Sequence, residues 1–210
     1  MKFGDMTKIV SFIKGRKEIL ILVVLILVII NKIIFPFGIR VANDFPIVSQ
    51  DTLNLGFGTP QIWSNKTADG LGEYSVITLW SWPLDFLGGV ASKIGLDFGV
   101  IEFLILLAPI FILGVVSIRK IFDSFNIKNP GKFVGTLVYI ANTYFLLLID
   151  GGQLSIALTY SVFPIIFILF KDAINNSLKK KLLAALGFSL LGFLDIRYLF
   201  VLGIFIFYIF

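Results

Sequence analysis

Phe133-Val-Gly-Thr-Leu-Val-Tyr-Ile-Ala-Asn-Thr-Tyr-Phe-Leu-Leu-Leu-Ile149, then Asp150-Gly-Gly-Gln153, then Leu154-Ser-Ile-Ala-Leu-Thr-Tyr-Ser-Val-Phe-Pro-Ile-Ile-Phe-Ile-Leu-Phe170, is the stretch that decides the fold. Two long apolar runs are separated by four residues. A bilayer core about 30 Å thick takes about 20 mostly apolar residues per helix. Backbone groups in lipid must bond within their own segment, so such runs are helices. The short connection makes them a tight antiparallel hairpin.

The rest of the chain repeats this pattern. Further apolar runs cover 19–37 and 100–118, and a final region, 182–210, is interrupted by Asp195-Ile196-Arg197. Hydrophobic residues make up 58 % of the 210 residues and mean hydropathy is +0.97, too apolar for a soluble domain of this length. The expected fold is all-α, a polytopic transmembrane helix bundle in one domain. The basic N-terminus and the run at 19–37 read as an uncleaved anchor, because no A-x-A-like cleavage site follows. The chain ends at Phe210 inside an apolar run, so it reads as the N-terminal part of a longer protein.

Lys and Arg set the expected orientation. Lys2, Lys8, Lys14, Arg16 and Lys17 precede the first run. Arg119, Lys120, Lys128 and Lys132 follow the second. Lys171, Lys179, Lys180 and Lys181 follow the fourth. These are thirteen of the 18 basic residues. The positive-inside rule makes those segments, and the N-terminus, cytoplasmic. The long loop 38–98 and the 150–153 turn then face outward. The segment 76–91, with Trp80, Trp82, Pro83, Asp85 and Gly88-Gly89, is expected at the outer interface, with a re-entrant path as its rival.

Composition narrows the chemistry. There is no Cys and no His, so thiolate chemistry, an imidazole base and Cys- or His-ligated metals are excluded. Any catalysis rests on carboxylates, Lys, Arg, Tyr or hydroxyls. The net charge of +5 does not point to nucleic acid, because the basic residues flank apolar runs, where they set topology and touch anionic lipid.

Acids concentrate in the outer loop: Asp44, Asp51, Asp69 and Glu73. A carboxylate there can act as a general base or bind a divalent cation through oxygen. A merely solvated acidic loop is the competing reading. Asp150 and Gln153 sit in the hairpin turn, which needs no function as a turn. Glu102 lies near the outer end of the second run, beside the interface or a partner cation. Asp195 and Arg197 interrupt an apolar region, where ionisable groups are costly and often functional. Positions two apart on a helix do not face each other, so either the helix breaks there, at the outer surface, or each finds another partner. Asn65-Lys66-Thr67 fits the short glycosylation-acceptor pattern, and no Gly-rich phosphate loop is present.

Three stretches resemble the C-type glycosyltransferase (GT-C) superfamily of membrane enzymes. They are Asn43-Asp44-Phe45-Pro46, the segment from Trp63 through Asp69-Gly70-Leu71-Gly72-Glu73, and Val138-Tyr139-Ile140-Ala141-Asn142-Thr143-Tyr144 with Gly151-Gly152-Gln153 and 160–164. The order of a first span, an acidic outer loop, an interfacial segment and further spans is similar too. The resemblance implies a polyprenyl-phosphate-linked sugar donor and transfer on the non-cytoplasmic face of the cell membrane. It implies Asp44 as catalytic base or metal ligand, with Asp51 in reserve. Arg40, Lys66, Lys93 or Arg197 would meet the donor phosphate, with Asp150 and Gln153 at the substrate site. The rival class is a non-enzymatic transporter or lipid-binding subunit, for which broken helices with polar groups near the bilayer midplane are expected.

Overall fold

The computed structural model describes residues 17–18, 20–29, 31, 58, 63–64, 73–74, 77–174 and 177–209. Arg40, Asp44, Asp51 and Lys66 lie outside the described residues, as do most of the 38–98 loop and the end of the run at 19–37. Apart from a two-residue antiparallel ladder, β1 (Trp63–Ser64) with β2 (Glu73–Tyr74), the regular elements described are helical.

The helices are α1 (Leu20–Ile29), α2 (Ile77–Lys93), α3 (Phe98–Ser124), α4 (Asn129–Ala141), α5 (Thr143–Asp150), α6 (Leu154–Ala173), α7 (Leu178–Leu194) and α8 (Arg197–Ile209). Among the described residues three units are long and apolar enough to cross a membrane: α3, α4 with α5 (Asn129–Asp150), and α6. α1 touches the core through one stripe, Leu22, Ile26 and Ile29, and is otherwise mostly exposed. The segment expected at the interface is a single helix, α2, with Pro83 inside it, packed on the start of α3 and on α7. The Trp82 indole donates to the Gly58 carbonyl at 2.7 Å, tying part of the 38–98 loop to this helix.

α3 is longer than the 100–118 run. Nothing breaks the helix until Phe125 and the left-handed Asn126 (φ 55), so Arg119 and Lys120 ride on its last turns and not in a loop. Near its start, Phe103–Leu107 forms a π turn in which the Ala108 N–H bonds the Phe103 carbonyl. Pro109 follows at once. Its ring removes a donor and crowds the preceding turn, which a locally widened ladder relieves.

The bundle is built on α6. α3 packs along it in parallel, α7 in antiparallel. Small residues set both approaches: a Cβ on Gly114 would meet the Ser161 hydroxyl at 3.3 Å, and one on Gly187 would meet Ile166 at 3.2 Å. The Ser117 hydroxyl donates to the Ser161 carbonyl across the same α3–α6 seam. Lipid gives helices no hydrophobic drive to associate, so close backbone approach and such bonds carry the contact. α7 presents Ala184, Gly187, Leu191 and Leu194, a stripe of alternating three- and four-residue steps. Gly114→Leu should therefore destabilise the bundle by about 1–3 kcal/mol through overpacking. Gly203→Ala should be tolerated, since nothing lies within 4 Å of its would-be Cβ. Equilibrium unfolding of the two variants in mild detergent compares them.

Candidate functional site: the helix breaks at Asn142 and Asp195

Two helices break where apolar runs continue. The first break divides the run expected as one span over 133–149. Asn142 adopts an extended backbone (φ −73, ψ 153) between α4 and α5. Its side chain satisfies both ends: Oδ1 accepts from the Phe145 N–H at 2.9 Å, and Nδ2 donates to the Tyr139 carbonyl at 2.7 Å. Nδ2 also reaches the Tyr160 hydroxyl of α6, at 3.0 Å. The Tyr139 hydroxyl donates to the Tyr160 carbonyl at 2.5 Å. That carbonyl lies four residues before Pro164, whose ring nitrogen cannot donate to it. The two tyrosine rings stack with centroids 4.4 Å apart. Behind them Phe145 is fully buried, edge-on to Phe111 at 5.7 Å. Asn at this position is a helix N-cap placed inside a membrane-length segment.

The second break separates α7 from α8. Asp195 is extended (φ −163, ψ 113) and closes α7. Its carboxylate accepts from the Arg197 backbone N–H at 2.9 Å, which caps α8. The same carboxylate holds the guanidinium, with Nε at 2.9 and 3.1 Å and Nη2 at 2.5 Å. The break thus lets residues two apart pair with each other. The partners differ in exposure: the Asp195 side chain is 6 % accessible and that of Arg197 68 %. Solvent screens the guanidinium, but the carboxylate it holds is buried and depends on it for a charge partner. The pair fixes the direction of the fork, and Nη1 takes no part in the pairing.

After the break α8 folds back. Leu199 lies against Gly192 of α7, and Phe205 meets Phe163 and Phe167 of α6 at 6.0 and 5.8 Å. The stretch 178–209 is therefore a hairpin of two helices, and α7 already starts at Leu178, before its apolar run, carrying Lys179–Lys181 on its first turn.

The position of this break follows from register. Gly187 faces Ile166, which sets Asp195 level with Leu158, about 6 Å along α6 from its first residue at the helical rise. Asp195–Arg197 thus lies at the end of the bundle that holds the 150–153 turn. In that turn the Gly151, Gly152 and Gln153 N–H groups cap the last carbonyls of α5, and Gly152 takes a positive φ of 78. Asp150 is exposed, and Gln153 is partly buried at the start of α6.

A row of tyrosines joins the two breaks. Tyr198 and Tyr144 are near enough to interact electrostatically, and the Tyr198 ring packs 5.7 Å from that of Phe163. Tyr144 lies 6.0 Å from Tyr160, which stacks on Tyr139. Four of the six tyrosines take part. This row is not read from the sequence, although Asn142, a capping residue amid hydrocarbon, signals it. Glu102 is buried within α3 beside the π turn. Among the described residues no three carboxylates gather as a metal site, and Asp44, Asp51 and Asp69 lie outside them. No protein-family model, curated protein or solved structure matches this sequence.

Proposed function

We propose that the chain is the membrane part of a GT-C-like glycosyltransferase of the cell envelope. It uses a polyprenyl-phosphate-linked sugar on the non-cytoplasmic face, with the N-terminus cytoplasmic. The observation that carries this reading is Arg197: an exposed fork held from one side by Asp195, at the same end of the bundle as Asp150 and Gln153, beside Tyr198 and Tyr144. An Arg fork suits phosphate oxygens, and Nη1 is the part left to meet one. The adjoining α8 exposes Phe200 and Ile204, an apolar surface along which a prenyl chain can lie.

In this scheme the acceptor hydroxyl attacks the anomeric carbon while Asp44, or Asp51 in reserve, takes its proton. The bond from that carbon to the phosphate oxygen breaks, and its electron pair stays on the phosphate. Arg197, with Arg40 and Lys66 from the outer loop, offsets that charge, with Asp150 and Gln153 placed toward the sugar. A divalent cation held by the loop carboxylates would do part of the same work.

Arg197→Gln in the intact protein should raise the KM for a polyprenyl-phosphate sugar about tenfold or more, the worth of one charge-assisted phosphate contact. Because the Asp195 carboxylate is buried, the unfolding midpoint of the variant is measured beside that of Arg197→Lys, which keeps the charge and loses the fork. An unchanged KM would remove Arg197 from the donor site. The rival reading, a non-enzymatic transporter or lipid-binding subunit, draws on the break at Asn142. The groups freed there are answered by Tyr139 and Tyr160, which suits a structural hinge better than an open substrate site. Donor binding with no transfer to any acceptor would favour the lipid-binding subunit.

A further inference from the structure

The opposite end of the bundle carries a second feature, independent of the donor chemistry. α3 and α6 run parallel, so the segments 119–132 and 171–181 emerge together. Lys171 places its amino group 4.8 Å from the centroid of the Phe125 ring, which fixes that juxtaposition. These two segments hold eight Lys and Arg against two acids, Asp123 and Asp172. Asp123 is already paired with Lys132. Exposed apolar side chains stand among the charges: Phe125, Ile127, Ile174 and, at 72 % accessible, Leu178. This mixture fits the boundary between acyl chains and headgroups.

Arg119 sits deeper, five residues before the end of α3. Its Nη1 is buried with no hydrogen-bond partner among the described residues. An uncompensated guanidinium nitrogen inside a span is costly. The side chain spans about one helical turn, enough to snorkel toward the headgroup level where a phosphate can satisfy it.

We infer that this end of the bundle binds the headgroup of an anionic phospholipid, its phosphate held by Arg119 and Lys171 with Lys179, Lys180 and Lys181 on the rim. The three rim lysines open α7, so their charges and the first N–H groups of that helix face the same leaflet.

The test uses the whole chain in phosphatidylcholine vesicles with trace spin-labelled lipid, reading the fraction held at the protein surface. Phosphatidylglycerol should be retained at least fivefold over phosphatidylcholine. Lys171→Gln should lower that preference about fivefold, the effect of one basic residue near an anionic surface. Arg119→Gln should do so by as much or more. The exposed triple change Lys179→Gln, Lys180→Gln, Lys181→Gln cannot disturb packing and should also lower it. Free inorganic phosphate at millimolar concentration should leave the retained lipid in place. Equal retention of the two lipids, a preference unchanged in all the variants, or displacement by free phosphate would overturn the inference.

Discussion

Asp44→Asn should abolish sugar transfer in the intact protein while leaving its folding and donor binding unchanged. Asn is nearly isosteric with Asp but cannot take a proton from an acceptor hydroxyl. A positioned general base contributes about 10²–10⁴-fold, so residual turnover should fall by at least a hundredfold. The same change at a solvated loop acid would do almost nothing, because surface substitutions away from such features stay within about 0.5 kcal/mol. Asp51→Asn is the necessary companion. If both variants transfer sugar at the parental rate, the carboxylate mechanism is wrong, whatever the status of Arg197. Transfer by membranes of the two variants and of the parent, with a synthetic polyprenyl-phosphate sugar, decides between these outcomes.

Asn142→Leu should damage the bundle strongly for a change that adds no polar group to it. Leu fits a continuous helix, but the surrounding structure is built for a break. The substitution removes the cap on the Phe145 N–H, worth about 1 kcal/mol, and leaves the Tyr139 carbonyl and the Tyr160 hydroxyl only their longer bond to each other, at 3.3 Å. A buried group left unsatisfied costs about 1–3 kcal/mol in water-soluble proteins, and polar pairs in membranes are worth somewhat less. A loss of about 2–3 kcal/mol in total is expected. Asn142→Asp should be milder, since it keeps the capping oxygen. Steric-trap or denaturant unfolding in bicelles measures both. A neutral Asn142→Leu would mean that the break is imposed by packing alone.

The membrane-length helices are legible in the sequence because the constraint is simple: hydrocarbon thickness sets run length, and the runs around 150–153 meet it. Their ends are less legible. α3 extends through Arg119 and Lys120 because long basic side chains are compatible with a helix terminus, so the end of the apolar run is not the end of the helix. α7 begins before its apolar run for a similar reason, with Lys179–Lys181 on its exposed first turn. Asp195 and Arg197 announce an interruption by their charge, and the structure adds that they pair with each other across it. Asn142 is the one local sign of the first break, and the run 133–149 is long and apolar enough to read as a single span around it. The break depends on Tyr160, eighteen residues away on another helix, and no local periodicity reports such a partner. The tyrosine row is unreadable for the same reason: its members come from four different helices. Of the site residues read from the sequence, Asp150, Gln153 and Arg197 gather at one end of the bundle. Arg40, Asp44, Asp51 and Lys66 lie outside the described residues, and their place depends on the sidedness of the loop that carries them.

That sidedness is the most direct test of the whole account, which requires the outer loop, the 150–153 turn and the α7–α8 break to share one face. The chain has no cysteine, so single substitutions report cleanly. Lys66→Cys, Asp150→Cys and Ile196→Cys should each react with a membrane-impermeant maleimide added to intact cells, while Lys128→Cys and Lys180→Cys should react only after permeabilisation. Labelling of position 66 only from the cytoplasmic side, or of positions 150 and 196 from opposite sides, would contradict it.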